Sequence, residues 1–124
     1  KMTDVLGRPN PRQVRVAVAE TIPTGKLRAA DAADGPHDPH VWMDPTLWAG
    51  CATAVADALA QADPPHAAAY RANAERYLKE LAALDAEVRT KAESLSKAKR
   101  VLVTSHDAFG YFGAAYGFEV RGLE

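Results

Sequence analysis

A long amphipathic segment between residues 64 and 96 constrains the fold of this chain more than any other feature of the sequence. Asp63 and the two prolines after it form a helix start signal, since a carboxylate caps free N–H groups and proline tolerates the first turn. Apolar residues then recur at steps of three and four: Tyr70, Ala74, Tyr77, Leu78, Leu81, Leu84, Val88 and Leu95. One helix of this length spans about 45–50 Å. The pattern therefore predicts a long helix that acts as a rigid strut, and the alternative is an arm of a helix bundle or coiled coil.

Shorter elements are predicted before this helix. Residues 1–7 resemble the end of a helix, with a glycine as its stop. Valines alternate with other residues over positions 14–18, which predicts a half-buried strand. Prolines and glycines in residues 21–39 predict a loop. Asp44 followed by Pro45 predicts the start of another helix, with an apolar face that includes Trp48, Ala52, Val55, Ala56 and Leu59.

The end of the chain has the pattern of a strand, a helix and a second strand. Residues 101–104 read as a short buried strand and residues 107–116 as a helix that Gly117 stops. A second strand begins at residues 118–120. Because a βαβ unit pairs its strands in parallel, His106 should lie at the carboxyl end of the first strand, where open α/β sheets place their ligand sites.

Charge and cysteine content exclude several classes of function. Fifteen Lys and Arg oppose sixteen Asp and Glu, which leaves a net charge of -1. The balance gives no basis for nucleic acid or an anionic membrane surface as the main partner. A single cysteine, Cys51, provides neither an internal disulfide nor a cysteine-based metal site. No apolar run approaches the roughly 18 residues of a membrane span.

Two histidines stand at positions suited to metal coordination. His40 lies among the prolines of residues 35–45, where rigid turns would hold the imidazole in place. His106 follows a strand and precedes a helix, whose positive end would favour the neutral imidazole that a metal requires. A loop histidine is more commonly a surface residue, and a zinc centre takes about four donors, so these two need further ligands.

Neighbouring polar residues have simpler interpretations. Asp38, Asp44 and Asp107 are candidate ligands, but turn formation, helix capping or orientation of an imidazole N–H explains them as well. His37 lies in the flexible loop and His66 at a helix start, where it should be exposed. The aromatic residues near the two junctions are interpreted as packing groups: Trp42, Trp48, Phe109, Tyr111 and Phe112.

Two stretches closely resemble signature sequences of the metal-binding solute-binding proteins of bacterial ABC transporters, the zinc/manganese group that includes lipoprotein adhesins. They are Asp38-Pro-His-Val-Trp-Met-Asp-Pro45 and Val103-Thr-Ser-His-Asp-Ala-Phe-Gly-Tyr-Phe112. The long Ala- and Glu-rich helix between them, which opens with Tyr70-Arg-Ala-Asn-Ala-Glu-Arg-Tyr77, is also similar to that family. The resemblance covers nearly the whole chain.

The resemblance implies an α/β protein of two lobes joined by a long rigid helix, of which this chain is the middle portion. Residues 1–63 would end the first lobe, residues 64–96 would form the connecting helix, and residues 97–124 would begin the second lobe. His40 matches the family's second metal ligand and His106 its third. The first ligand, a histidine, and the fourth, an Asp or Glu, would lie outside this sequence.

The function that the resemblance implies is transport rather than catalysis. A receptor of this kind captures divalent zinc at the periplasmic or extracellular face of the membrane, secreted or lipid-anchored, and delivers it to an ABC transporter permease. It is expected to be a monomer that binds no nucleic acid. Relatives that handle manganese often have a carboxylate where this chain has His106, and imidazole suits zinc, so Zn²⁺ is expected, with Mn²⁺ or iron as alternatives.

Two readings from other classes remain open. The first is a zinc-dependent hydrolase that uses His40 and His106, with Asp44 or Asp107 activating a bound water. No compact motif of ligands and base such as H-E-x-x-H supports it. The second is an adhesin or helical scaffold, which depends on the long amphipathic helix alone and predicts partner binding that does not require the histidines.

Overall fold

The computed structural model describes residues 13–30 and 36–123, so the helix end predicted at residues 1–7 lies outside the described residues. The regular elements are α1 (Pro45–Ala62), α2 (Ala67–Glu93), β1 (Val101–Thr104), α3 (Gly110–Tyr116) and β2 (Glu119–Gly122). Single 3-10 turns occur at Val18–Thr21, Thr24–Lys26, Val41–Met43, Pro64–His66 and Lys97–Lys99. In the described ranges no helix is both long and apolar enough to cross a membrane.

Helix α1 begins where the sequence predicts. The backbone N–H of Thr46 donates to Oδ1 of Asp44 at 2.8 Å, and the Thr46 hydroxyl donates to the same oxygen at 2.7 Å. Pro45 occupies the first helical position, where no N–H is needed. This cap fixes the end of the helix that lies next to the His40 segment.

Helix α2 is the long helix, although it is shorter than predicted. It follows the turn Pro64–His66 and ends at Glu93 rather than at residue 96, so that it spans about 40 Å. The Ser94 hydroxyl donates to the Lys91 carbonyl at 2.6 Å, and Ser96 is already extended. Serine side chains compete for backbone bonds in this way, which explains the earlier end.

The core of the chain joins three parts of the sequence. Ile22, Val41, Leu47, Cys51 and Tyr111 form one buried cluster, drawn from the segment before α1, from α1 itself and from α3. The apolar face predicted for α1 lines a groove against α2, where Val55 and Leu59 stay partly exposed. Leu47 and Cys51, which the predicted face omits, are the side chains of α1 that reach the cluster.

The strand, helix and strand at the end of the chain form the predicted parallel pair. β1 and β2 run parallel, with Val101 opposite Glu119 and Thr104 opposite Gly122. Gly117 ends α3 with a φ of 73°, a left-handed conformation that favours glycine. The prediction that β1 is buried is wrong, because Val101 and Val103 are exposed.

Two predicted elements differ from the structure. Helix α3 starts at Gly110 instead of residue 107, because the His106 carbonyl accepts from the Ala108 N–H at 3.0 Å and the chain turns before the helix. The strand predicted at residues 14–18 is absent, and the 3-10 turn Val18–Thr21 takes part of its place. A strand needs a neighbour for its hydrogen bonds, and no described strand pairs with these residues.

The loop predicted at residues 21–39 agrees with the structure over its described part. This part contains 3-10 turns and irregular chain, without an α-helix or a strand. Its path is fixed at one point by the Asp38 N–H, which donates to the Arg28 carbonyl at 3.0 Å. That bond holds Arg28 beside Asp38, two residues before His40.

Candidate metal centre

The His40 imidazole is held by the carboxylate of Asp38. Nδ1 of His40 lies 2.7 Å from Oδ1 of Asp38, and the His40 backbone N–H donates to the same oxygen at 2.9 Å. A carboxylate can only accept, so Nδ1 carries the proton and Nε2 keeps its lone pair. The side chain of His40 is 15% exposed. The imidazole is therefore oriented by Asp38 and mostly buried, in a tautomer whose Nε2 could accept a metal ion.

His106 lies opposite this ring, in the turn after β1. The centroids of the two imidazoles are 5.4 Å apart and their planes meet at 77°. Two imidazoles that ligate one tetrahedral zinc ion, with Zn–N distances of about 2.0–2.1 Å, would have centroids about 5 Å apart. The fold thus brings the two histidines to a separation that suits one metal ion, although they lie far apart in the sequence.

Hydrogen bonds hold the backbone at His106, and the helix start that the sequence predicts directly after this residue is not there. Its carbonyl accepts from the Ala108 N–H and from the Thr104 hydroxyl, the latter at 2.9 Å. Because α3 begins only at Gly110, the expected effect of a helix end directly after His106 does not apply. A hydrogen-bonded turn at the end of β1 positions this histidine instead.

The other candidate ligands are engaged or lie elsewhere. Asp44 caps α1 through Thr46, as predicted, and His66 is exposed at the junction of α1 and α2, where its ring contacts Asp63 at 2.8 Å. His37 is half-buried and Asp107 exposed. Within residues 13–30 and 36–123, no group of three or more His, Cys, Asp and Glu side chains could hold a metal.

The aromatic residues near the site divide into two groups. Phe112 packs against Phe109, Tyr116 and Phe118, with centroid distances of 6.4, 4.9 and 5.3 Å, as expected of packing groups. Trp42 differs, since it is 50% exposed and meets the His40 ring edge-on at 5.3 Å. The packing role predicted for Trp42 is therefore incomplete, because half of its surface faces solvent.

Tyr111 is the residue near the site whose contacts the sequence reasoning missed. Its hydroxyl accepts from the Arg28 N–H at 3.0 Å and donates to the Asp38 carbonyl at 3.0 Å. The available signal was a tyrosine among phenylalanines in a segment interpreted as packing. A buried tyrosine hydroxyl requires a hydrogen-bond partner, whereas phenylalanine would serve for packing alone.

The clearest shift of a pKa among the described residues belongs to Tyr116 of α3. Burial and a 3.0 Å hydrogen bond to Asp85 raise the pKa of Tyr116 far above its ordinary value. Burial also raises the pKa of the Cys51 thiol. The Tyr116 hydroxyl donates to Asp85 of α2, and the Arg89 guanidinium lies over its ring at 5.4 Å. These contacts fasten α3 to the long helix.

In this site a part-buried imidazole, oriented by a carboxylate, faces a second imidazole at the carboxyl end of a parallel strand, and paired imidazoles of this kind are typical of metal-binding proteins. The family model described as "Zinc-uptake complex component A periplasmic" matches residues 1–124. The chain belongs to this family.

Curated relatives and solved structures agree with this assignment. The chain is 44% identical to the zinc-binding protein TroA of Treponema pallidum and 42% identical to the manganese-binding lipoprotein MntA of Bacillus subtilis, in each case over all 124 residues. It spans 40% of the length of both relatives.

The structural match to the periplasmic zinc-binding protein TroA of Treponema pallidum has a TM-score of 0.82 at 46% identity and covers 88% of this chain and 39% of that one. A structure titled as a ZnuA deletion mutant with zinc bound matches with a TM-score of 0.76 at 29% identity, over 86% of this chain and 39% of the other. These matches confirm the predicted fold class, the two-lobed metal-binding solute-binding proteins.

Proposed function

We propose that the protein captures a divalent metal ion, zinc first of all, and delivers it to the membrane permease of an ABC transporter. The observation that carries this proposal is the pair of imidazoles, 5.4 Å apart, one of them oriented by Asp38. The assignment of His40 and His106 as metal ligands is part of the proposal. We place this capture at the periplasmic or extracellular face of the cytoplasmic membrane, which accords with the description of the family as periplasmic.

Two imidazoles are part of a zinc site rather than the whole of it. Zinc in proteins takes about four donors, or three and a water. We propose that residues outside the described ranges supply the remaining donors and that the two histidines come from different lobes. In this division residues 1–63 form the last part of one lobe, residues 64–96 form the helix that connects the lobes, and residues 97–124 form the first part of the other lobe. Metal would then bridge the lobes, and α2 would limit their relative motion.

The identity of the metal is argued from ligand chemistry. The relatives include proteins named for zinc, manganese and iron, so membership of the family leaves the metal open. Imidazole is a better partner for zinc than for manganese, which prefers carboxylate oxygens. The two histidines therefore favour Zn²⁺, with Mn²⁺ or iron as the alternative cargo.

Transport is favoured over hydrolysis by the positions of the acidic groups. A hydrolase would need a carboxylate directed at a metal-bound water. Of the two candidate bases, Asp44 instead holds the first turn of α1 and Asp107 is exposed, while the nearby Asp38 holds the imidazole of His40. We therefore propose a receptor that performs no reaction, acts as a monomer and has the permease and the metal ion as its partners.

The test is a zinc titration of the full-length protein with single substitutions. His40→Ala and His106→Ala should each weaken zinc binding by more than the roughly 10- to 100-fold that loss of an outer partner causes. His66→Ala is the matched control, because that imidazole also contacts a carboxylate but lies at the α1–α2 junction. Competition with a chromophoric chelator gives the affinities. Wild-type affinity in both variants would refute the assignment.

A further inference from the structure

We propose that Tyr111 is a positioning residue whose hydroxyl sets the separation between His40 and His106. This inference rests on the proposed function, since it concerns the geometry of the proposed metal site. Tyr111 belongs to α3, which follows His106 in the chain, while its hydroxyl bonds to the loop that carries His40. One side chain thereby connects the segments that carry the two imidazoles.

The hydroxyl completes a hydrogen-bonded pair between Arg28 and Asp38. The Asp38 N–H donates directly to the Arg28 carbonyl at 3.0 Å. In an antiparallel pair the Arg28 N–H would return a second bond to the Asp38 carbonyl. Here Tyr111 mediates that bond, because its hydroxyl accepts from the Arg28 N–H and donates to the Asp38 carbonyl, both at 3.0 Å. The tyrosine hydroxyl therefore helps to hold Arg28 and Asp38 together, and we call this pair of residues the neck of the loop.

The path from this neck to the metal site is short. Asp38 is the residue whose carbonyl Tyr111 holds, and its carboxylate orients both the ring and the backbone of His40. A displacement of Asp38 would therefore move the imidazole. On the His106 side the connection is the chain itself, because Tyr111 lies in α3, the short helix that follows the turn of His106.

The ring of Tyr111 is anchored independently of the hydroxyl. The residue is 2% exposed and belongs to the core cluster with Val41, Leu47 and Cys51. Substitution by phenylalanine would keep that packing and remove only the two hydrogen bonds. The Arg28 N–H and the Asp38 carbonyl would then lack their partner, and unsatisfied polar groups at a part-buried site favour rearrangement. The rearrangement would occur at Asp38.

Gly110 makes the close approach of α3 to the loop possible. A Cβ at this position would lie 2.7 Å from Nε of Arg28 and 3.2 Å from Oδ2 of Asp38. The flexible guanidinium can move aside, whereas the carboxylate is tied to His40. Gly110→Ala should therefore shift the Asp38 carboxylate by a few tenths of an ångström while it leaves the Tyr111 hydroxyl in place, which provides a second, independent perturbation of Asp38.

Tyr116 offers a matched control on the same helix. It is 3% exposed, and its hydroxyl donates to Asp85 of α2 at 3.0 Å. Tyr116→Phe removes a buried hydroxyl from α3 as Tyr111→Phe does, but at a contact that does not involve the loop of His40. A general loosening of α3 would affect both variants, while a positioning role belongs to Tyr111 alone.

The experiment compares wild type, Tyr111→Phe, Gly110→Ala and Tyr116→Phe in the full-length protein. Zinc affinity is measured by chelator competition, urea unfolding of the metal-free protein reports stability, and ¹⁵N NMR of the His40 imidazole reports which ring nitrogen carries the proton.

We expect Tyr111→Phe to weaken zinc binding about 10- to 100-fold, the range for partners that orient a ligand. Gly110→Ala should weaken it in the same direction, and both should reduce the His40 population protonated at Nδ1. Tyr116→Phe should lower stability and leave zinc affinity and the His40 signal unchanged.

Several results would overturn the inference. Wild-type affinity in Tyr111→Phe would refute it while the proposed function stood. Equal loss of affinity in Tyr111→Phe and Tyr116→Phe would assign the effect to general loosening, and an unchanged His40 signal in a weakened Tyr111→Phe would exclude the route through Asp38. If the wild type bound neither zinc nor manganese nor iron, the proposed function itself would fail, and the inference with it.

Discussion

Oδ1 of Asp38 accepts two hydrogen bonds from one residue, the ring Nδ1 of His40 at 2.7 Å and its backbone N–H at 2.9 Å. A single carboxylate oxygen thus fixes both the position of the His40 backbone and the orientation of its imidazole. Such pairing of an imidazole with a carboxylate fixes the tautomer and strengthens the nitrogen that faces a metal.

Replacing Asp38 by alanine should weaken zinc binding of the full-length protein about 10- to 100-fold, because His40 would lose the group that orients it. Asp63→Ala is the control, since Asp63 also contacts an imidazole, that of His66, but away from the site. Isothermal titration with a competing chelator measures both. Equal affinities in wild type and Asp38→Ala would show that the carboxylate has no part in metal binding.

Removing the cap of α1 should cost stability. Asp44→Ala deletes the acceptor for the Thr46 N–H and hydroxyl, which should lower the free energy of unfolding by about 1 kcal/mol. Asp57→Ala removes a carboxylate from an exposed position within α1 and should change it by less than about 0.5 kcal/mol. Urea denaturation of the metal-free protein gives both values. A larger effect from Asp57 would contradict the capping role.

The buried hydroxyl of Tyr116 should make stability fall at alkaline pH. Burial and Asp85 raise its pKa in the folded protein above the ordinary value of about 10, so the unfolded chain loses this proton first. Above pH 10 the folded state then binds more protons than the unfolded state, and stability falls by up to about 1.4 kcal/mol per pH unit. Below that pH the contribution is fully present.

Urea denaturation of wild type and Tyr116→Phe between pH 8 and 11 isolates this contribution. The difference in unfolding free energy between the two should be constant up to about pH 9 and shrink above pH 10. A difference that stays constant to pH 11 would mean that Tyr116 ionises equally in both states.

Two glycines in helices should respond oppositely to alanine. At Gly113 a Cβ would lie 2.7 Å from Cγ2 of Val120 and 2.8 Å from the Phe118 carbonyl oxygen, so Gly113→Ala should destabilise by about 1–3 kcal/mol. At Gly50 an added Cβ would meet no described atom within 4 Å other than those of its own helix backbone and chain neighbours, and Gly50→Ala should stabilise α1 by about 0.5–1 kcal/mol. Thermal unfolding of both variants tests this. A neutral Gly113→Ala would show that α3 and β2 can separate without cost.

Elements with strong local signals could be predicted from the sequence. The start of α1 depends on Asp44 and Pro45, and most of α2 depends on apolar residues at helical spacing, so short stretches of sequence suffice. The parallel pairing of β1 and β2 followed from the helix predicted between them, which makes the segment a βαβ unit. The site residues His40 and His106 were singled out by their junctions and by the family resemblance.

Features that depend on distant partners could not be predicted. The alternation at residues 14–18 indicates a strand, but strands form only beside a neighbour, which no described segment supplies. The importance of Tyr111 depends on Arg28 and Asp38, which lie 83 and 73 residues away in the sequence. None of these contacts is encoded in local spacing.

The exposed indole of Trp42 provides an optical reporter beside the proposed site. The chain contains two tryptophans, and the other, Trp48, donates its ring N–H to the Tyr77 hydroxyl at 3.2 Å. Trp42 instead meets the His40 ring edge-on at 5.3 Å. Metal ligation at His40 would change the surroundings of this indole, so its fluorescence should change when a metal ion binds. A Trp48→Phe background would isolate that signal, and stopped-flow mixing could then follow metal capture in real time without any added dye.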